Sequence, residues 1–363
     1  MGRNRVFIIA EAGVNHNGSL PMALKLIDAA KEACADAVKF QTFTSEAVIS
    51  CYAKKANYQI KTTGAQESQL EMVKKLELGP VAHRRILDRC KKRGVRFLST
   101  PFDEASVDFL VTQLKVPLLK IPSGEITNGP LLLRVAQTQK PVILSTGMST
   151  LNDVREGLGV LAFGYLGLKK KPSKTAFQVA FQSIRGQRIL RKRVALLQCT
   201  TEYPCPYEDV NLLAMDVLAD TFGLTVGLSD HSQGIHVPIG AVARGACIIE
   251  KHMTLDRTLP GPDHKASLEP SQFAAMVRGI RDVEKALGLR KKSPASSEIK
   301  NIPIARKSLV AAKFIKKGEI FTLNNLTSKR PGDGISPMNF WNLLGKTSDR
   351  DYAVDEPIHS HGN

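Results

Sequence analysis

The sequence predicts an α/β chain, a (β/α)8 TIM barrel followed by a small second domain, and three observations carry that prediction. Eight short apolar runs, separated by stretches long enough to hold helices, fall between residues 6 and 252 of the 363-residue chain. The runs are continuously apolar rather than alternating, which is the pattern of strands covered on both faces. Beyond residue 288 the composition turns polar and then compact and turn-rich, the mark of a linker and a second folding unit. A doubly wound open sheet is the competing arrangement, and it would not need the count to stop at eight.

The expected strands are VFIIA (6–10), AVKFQ (37–41), VRFLST (95–100), LLKIPS (118–123), PVILST (141–146), VALLQCT (194–200), TVGLSD (225–230) and CIIEKH (247–252). Of the intervening helices, LPMALKLIDAAKEA places Leu20, Leu24, Ile27 and Ala30 on one face. In PSQFAAMVRGIRDVEKALG, Pro270 suits a first turn, Phe273, Met276, Val277 and Ile280 form the stripe, and Gly288 ends it. Residues 42–79 form a long loop that follows a strand and so lies on the face where strands end. The segment after the fifth strand carries an insertion expected on the opposite face or the rim. These assignments give a catalytic barrel over residues 1–288, a linker over 289–302, and a second domain over 303–363 with KKGE, NN and PGDG turns.

Composition narrows the function. Hydrophobic residues make up 43% of the chain, enough for a substantial core. No apolar run approaches the ~20 residues of a membrane span, and the N-terminus lacks the pattern of a signal peptide. A soluble, cytoplasmic protein is expected. The six cysteines show no CxxC pair and read as reduced thiols. The formal charge is +17, and Lys169, Lys170, Lys171, Lys174, Arg185, Arg188, Arg191, Lys192 and Arg193 supply just over half of it, with no acidic residue among them. Few aromatics interleave, so the insertion reads as a solvated basic surface, contact with an anionic partner or membrane surface being the alternative. Neither a nucleic-acid nor a membrane partner is expected.

A histidine at the end of a buried strand, as in GLSDHSQG (227–234) or IIEKHM (248–253), is ordinarily satisfied by a backbone partner. Here, however, nearly every expected strand ends in a group capable of chemistry, and in a barrel those ends converge. The groups are Glu11; Lys39 and Gln41; Ser99 and Thr100; Lys120, Ser123 and Glu125; Ser145 and Thr146; Thr200, Thr201 and Tyr203; Ser229, Asp230 and His231; and Glu250 and His252. His231 and His252, on adjacent strands, can present imidazoles to one divalent cation, with Glu250 or water completing the shell. Such a set suits Mn²⁺, or Mg²⁺ or Co²⁺, better than a closed zinc site, and an ion with open positions is a Lewis acid for a carbonyl. Lys39 and Lys120, with Thr100, Ser123 and the backbone of Pro-Ser-Gly-Glu, can bind a phosphate or carboxylate, although either lysine alone could be a snorkelling residue. Glu125 is placed to act as a general base, or to cap a loop or helix. Glu11 could as well be structural. Together these groups suggest a phosphorylated small substrate reacting with a carbonyl compound.

The motifs IIAEAGVNHNG, VKFQTF, FLSTPFD, KIPSGEITN, PVILSTGMS, QCTTEYPCPYEDVNL, GLSDHS, IEKHMTLD and PGPDHKASLEP, in this order, resemble the sialic acid synthase family. The C-terminal segment, with IKKGE and KRPGDG, is similar to that family's antifreeze-like (SAF) domain. The resemblance implies condensation of phosphoenolpyruvate (PEP) with the open-chain aldehyde of an N-acylated mannosamine-type sugar and release of phosphate. It implies a metal on His231 and His252, with Glu250, and a base role for Glu125. Lys39, Thr100, Lys120, Ser123 and Ser229 match PEP-binding positions, and Glu11, Gln41, Tyr203 and Asp263 match positions around the sugar. Arg330 matches an arginine that reaches the partner's barrel in a swapped homodimer. Thr201 stands where members that use N-acetylmannosamine tend to have asparagine, and TTEY with DHKASLEP looks more like synthases of N,N'-diacetyllegionaminate. N-acetylneuraminate is the alternative product, and another metal-dependent PEP-condensing enzyme or aldolase is a more distant one. A binding protein without turnover is hard to reconcile with eight functional strand ends.

Overall fold

The computed structural model describes residues 5–359. The outermost ends of the two expected domains, residues 1–4 and 360–363, lie outside the described residues. The chain divides after Gly288 into two compact units.

The first unit holds eight parallel strands: β1 (Phe7–Gly13), β2 (Ala37–Thr42), β3 (Arg96–Pro101), β4 (Leu119–Ile121), β5 (Val142–Ser145), β6 (Val194–Cys199), β7 (Thr225–Asp230) and β8 (Ile248–His252). Their order is β3-β2-β1-β8-β7-β6-β5-β4, so the first strand pairs with the last. β3 and β4 lie against each other at the remaining seam. This cyclic order is that of a TIM-type barrel rather than a doubly wound sheet.

The pleat sorts each strand into two sets of residues. Ile9, Ala37, Leu98, Ile143, Leu197 and Ile248 point into the barrel and form a closed apolar plug. Their neighbours, such as Ile8, Ala10, Val38 and Leu144, pack outward against the helices in the larger core. Gly227 belongs to the inward set. A Cβ there would lie 2.3 Å from the Ile248 carbonyl oxygen and 2.8 Å from Leu197 Cδ2, so β6, β7 and β8 can approach this closely only around a glycine.

Capping and periodicity account for the helices. Ser19 caps Leu20–Glu32, which buries Ala23, Leu26, Ile27 and Ala30. The stripe is therefore centred one position off the expected one, with Leu20 and Leu24 at its partly covered edge. Pro270–Ala286 begins on Pro270 and buries Phe273, Met276, Val277 and Ile280 as expected. The loop after β2 is not structureless, since it folds into the short helices Ser45–Val48, Asn57–Thr63 and Gln69–Lys74. The basic insertion forms two helices, Lys174–Gln182 and Ile184–Arg193, hinged at Ser183 and packed on Leu151–Tyr165. Among the described residues no helix is long and apolar enough to cross a membrane.

In the second unit, β9 (Ser308–Ala311) and β10 (Leu326–Lys329) pair antiparallel over a small core that includes Leu309, Ile315, Phe321, Tyr352 and Ile358. The expected linker contains a helical turn of its own, Ser296–Ile299, and a second turn, Ile302–Ala305, begins at its end.

Candidate active site

The site follows from the same pleat. Counting two residues on from each plug residue gives the inward side chain of the next layer. Thus Ile9 is followed by Glu11, Ala37 by Lys39 and Gln41, Leu98 by Thr100, Leu118 by Lys120, Ile143 by Ser145, Leu197 by Cys199, and Ile248 by Glu250 and His252. All of these line one cavity of about 620 Å³ at the C-terminal ends of the strands. Ser123, Glu125, Tyr203, Ser229, His231 and Asp263 line it as well. Arg330 lies in the second unit, just beyond β10, where its Nε donates to the Ala305 carbonyl at 3.0 Å.

The floor of the cavity carries two cations interleaved with two carboxylates. Lys39 Nζ lies 2.7 Å from Glu11 Oε2 and 3.7 Å from Glu250 Oε1, and it donates to Thr100 Oγ1 at 3.1 Å. Lys120 Nζ lies 3.5 Å from the same Glu250 oxygen, which also accepts from Ser229 Oγ at 3.1 Å. Burial opposes the charge on Lys39, but Glu11 and Glu250 outweigh it and hold the ammonium above its ordinary range. For Lys120, burial outweighs the single shared carboxylate and the net shift is downward. Burial pushes Glu11 up to about 7, against the pull of Lys39. Lys39 has two carboxylate partners and Lys120 only the shared Glu250, so a phosphate or carboxylate entering here finds in Lys120 the less neutralised cation.

Above this floor stand the two histidines. Ser229 pairs with Glu250 and Asp230 with Lys251; continuing that register by one residue sets His231 beside His252. Their ring centroids are 5.3 Å apart. His231 Nδ1 lies 2.6 Å from the Thr200 carbonyl oxygen. A carbonyl only accepts, so Nδ1 carries the hydrogen and Nε2 presents its lone pair. Burial pushes His231 down, but Cys199 Sγ, 3.9 Å from Nδ1, and the Thr200 carbonyl carry it upward overall. His252 is driven well below its ordinary value by burial, with His231 and Lys39 adding to the effect. Its Nδ1 is buried without a hydrogen-bond partner, 3.8 Å from Asp263 Oδ2, and burial pushes Asp263 up to about 6. Two imidazoles, one with an orphaned nitrogen, fit a divalent cation that keeps open positions.

Glu250, the expected third ligand, is one pleat layer deeper than His252; its Oε1 is engaged by the lysines and Ser229, while its Oε2 is buried without a hydrogen-bond partner. Among the described residues no three His, Cys, Asp or Glu side chains form a ready metal cage. Asp230 does not touch the imidazoles either. It points out of the barrel, where Oδ2 pairs with the fully buried Lys251 at 2.6 Å and Oδ1 accepts from the Ser232 N–H and hydroxyl. It braces the turn that carries His231. Glu125, in the short 3-10 turn Ser123–Glu125, accepts from Asn128 Nδ2 at 2.7 Å. Ser123 Oγ accepts from the Gly147 N–H at 2.9 Å.

The mouth is lined by aromatic and aliphatic side chains, with Ser50, Gln59 and Gln69 among them. Tyr203 lies over His231 at 4.1 Å between centroids, and Tyr58 packs on Tyr203 at 5.0 Å. Burial, with Asp263 adding, keeps the Tyr58 phenol protonated. The loop after β2 continues the wall with Val48, Ile49, Met72, Val73 and Leu76. Sequence reasoning missed Tyr58, because an exposed-looking YQ in a loop carries no periodic signal. It also missed Cys199, which counting by twos from Leu197 would have found.

Comparison with known proteins identifies the family. The NeuB family model matches residues 26–292 and the SAF domain model residues 306–361. The chain is 51% identical to the N,N'-diacetyllegionaminic acid synthase of Campylobacter jejuni, over 98% of this chain and 99% of that protein. It is 44% identical to the N,N'-diacetyllegionaminic acid synthase of Legionella pneumophila, over 93% and 89% of the two chains. The crystal structure of the N-acetylneuraminic acid (sialic acid) synthetase from Leptospira borgpetersenii serovar Hardjo-bovis, in complex with citrate, superposes with a TM-score of 0.66 at 34% identity. The match covers 83% of this chain and 91% of that one. With both models matched in order along most of its length, the chain belongs to the NeuB family and carries a SAF domain at its C-terminal end.

Proposed function

We propose that this nonulosonic acid synthase condenses PEP with the open-chain form of 2,4-diacetamido-2,4,6-trideoxymannose, releasing phosphate and yielding N,N'-diacetyllegionaminate. The observation that carries the proposal is the vertical order of the cavity: two lysines at the floor, of which Lys120 has only a shared carboxylate, two imidazoles above them, and aliphatic side chains in the wall at the mouth.

Lys39 and Lys120 hold the anionic groups of PEP as point charges, while the hydroxyls of Thr100, Ser123 and Ser229 fix its orientation. His231 and His252 would hold a divalent cation, Mn²⁺ by preference, which supplies Lewis-acid polarisation of the sugar aldehyde when bound. Glu250 pairs with the lysines through Oε1, and its unpartnered Oε2 is left to complete the shell of the cation, with water as the alternative. PEP C3 attacks the aldehyde carbon and forms the new C–C bond. Glu125 takes a proton from the water that adds at C2, and phosphate then leaves with cleavage of its C–O bond. Glu11, Gln41, Tyr203 and Asp263 face the sugar hydroxyls and amides. Burial of the reacting atoms beneath Tyr58 and Tyr203 restricts bulk water at the carbon that water must attack only once.

Two features favour the diacetamido trideoxy sugar over N-acetylmannosamine, whose product would be N-acetylneuraminate. The two relatives with the N,N'-diacetyllegionaminic acid synthase name align over most of the chain. In addition, the wall of Val48, Ile49, Met72, Val73 and Leu76 suits a methyl at C6 and a second acetamido methyl better than hydroxyls. Arg330 reaching a partner's barrel in a swapped homodimer belongs to the same proposal. A chain truncated after Leu289 then loses turnover with its barrel intact. The deciding experiment supplies PEP and Mn²⁺ with each sugar separately and measures phosphate release. Faster turnover of the diacetamido sugar, abolished by chelator and by His252→Ala, is the expected result. Preference for N-acetylmannosamine overturns the substrate, and turnover indifferent to chelator overturns the cation.

A further inference from the structure

The two helices of the basic insertion contribute nothing to the cavity at the strand ends, and their outward face is unlike a merely solvated surface. No Asp or Glu occurs between Glu156 and Glu202. The ion pairs of the barrel fall elsewhere, and among the described residues none involves the nine lysines and arginines of this segment. Interleaved with these charges are large aliphatic side chains that the fold leaves in water: Ile184 is 79% exposed and Val179 58%. The inward side of Lys174–Gln182 is already satisfied, since Phe177 packs edge-on to Phe163 at 5.2 Å and Phe181 to Phe222 at 6.4 Å. Val179, on the opposite side of that helix, and Ile184, at the start of the next, are left mostly in water. Leu168 and Val179 line an open hollow of about 490 Å³ together with Lys170, Lys171 and Arg185.

We propose that this face is a peripheral docking surface for an anionic lipid bilayer, with Lys170, Lys171 and Arg185 on the headgroup phosphates and Leu168, Val179 and Ile184 entering the acyl boundary. Aliphatic tips among lysines and arginines, with no acidic residue in the segment, complement a surface that is negative outside and apolar just beneath. A single-stranded nucleic acid asks for something different, and a duplex, which would use the charges alone, has no use for the aliphatic tips. Base stacking needs exposed aromatic rings, and both phenylalanines of the segment are turned inward. The hollow shares no lining residue with the catalytic cavity, so docking leaves the site open.

The test is sedimentation of the full chain with vesicles of phosphatidylglycerol and phosphatidylcholine, beside vesicles of phosphatidylcholine alone. Binding to the anionic vesicles only, weakened by salt, is expected. Lys170→Gln/Lys171→Gln/Arg185→Gln should reduce the partition coefficient by about a hundredfold, and Val179→Asn/Ile184→Asn should also reduce it. Both variants should keep wild-type phosphate release in solution, which reports their folding. The headgroup and salt dependence of the unaltered chain tests the proposal without any variant. Absence of binding, equal binding to neutral vesicles, or preferential binding of duplex DNA in competition with vesicles overturns it.

Discussion

Lys251 Nζ lies 2.6 Å from Asp230 Oδ2, and both side chains are fully buried on the outer face of the barrel, directly behind the histidines. Burial pulls Lys251 down and Asp230 opposes it. Removing only the lysine strands a carboxylate that also holds the turn after β7. Lys251→Ala should therefore cost about 3–5 kcal/mol in denaturant unfolding. Asp230→Asn/Lys251→Met keeps an acceptor for Ser232 and leaves no uncompensated charge, so it should recover part of that loss. Equal destabilisation of the single and double variants would show that the pair is not the source.

His16 gives the barrel a pH dependence of its own. It is buried against Phe40, and its Nδ1 accepts from the Gly18 N–H at 3.1 Å. Burial, with His83 adding, lowers it from 6.5 to about 4. The unfolded chain thus takes up the proton first as pH falls. There is no contribution above pH ~6.5, a progressive loss of stability between ~6.5 and ~4, and no further change below; the total is about 3 kcal/mol. Unfolding curves across that window should be steeper in pH for the native chain than for His16→Gln.

Lys120 offers a separable test of the anion floor. Lys120→Met should raise the KM for PEP by roughly 10- to 100-fold while leaving the KM for the sugar nearly unchanged. A variant whose two KM values rise together would place the residue in general positioning instead.

Tyr58 tests the other end. Its ring packs on Tyr203 at 5.0 Å, so Tyr58→Ala should raise the KM for the sugar by about tenfold and spare that for PEP. Tyr58→Phe should behave almost as the native enzyme, because the contribution is that of the ring. Loss of activity in the Phe variant would point to the phenol.

The strands were legible in the sequence because β1 to β8 are buried on both faces and show as uninterrupted apolar runs. Which side chains face inward was less legible, since such runs hide the alternation. Ser99 and Thr100 looked equivalent, yet only Thr100 lines the cavity, while Ser99 bonds outward to Thr42. The same parity separates Ser229 and His231 from Asp230, and it moves Glu250 one layer below His252. The mouth was not legible. Tyr58 sits in a short helix within a long polar connection, and its place depends on tertiary packing against Tyr203 rather than on any local pattern.

The cavity is built from two materials that tolerate change differently. Its floor stands on strand positions two residues above a closed plug, where replacing one side chain disturbs neighbours on either side. Its mouth is walled largely by the connection over residues 43–79, which packs through a small cluster of its own around Val14, Phe43 and Leu76, apart from the main core of the barrel. Over evolutionary time, drift in that connection can exchange one sugar for another without risk to the carbon–carbon bond-forming step. New acceptor specificities can thus arise by altering one connection of an enzyme whose chemistry stays fixed.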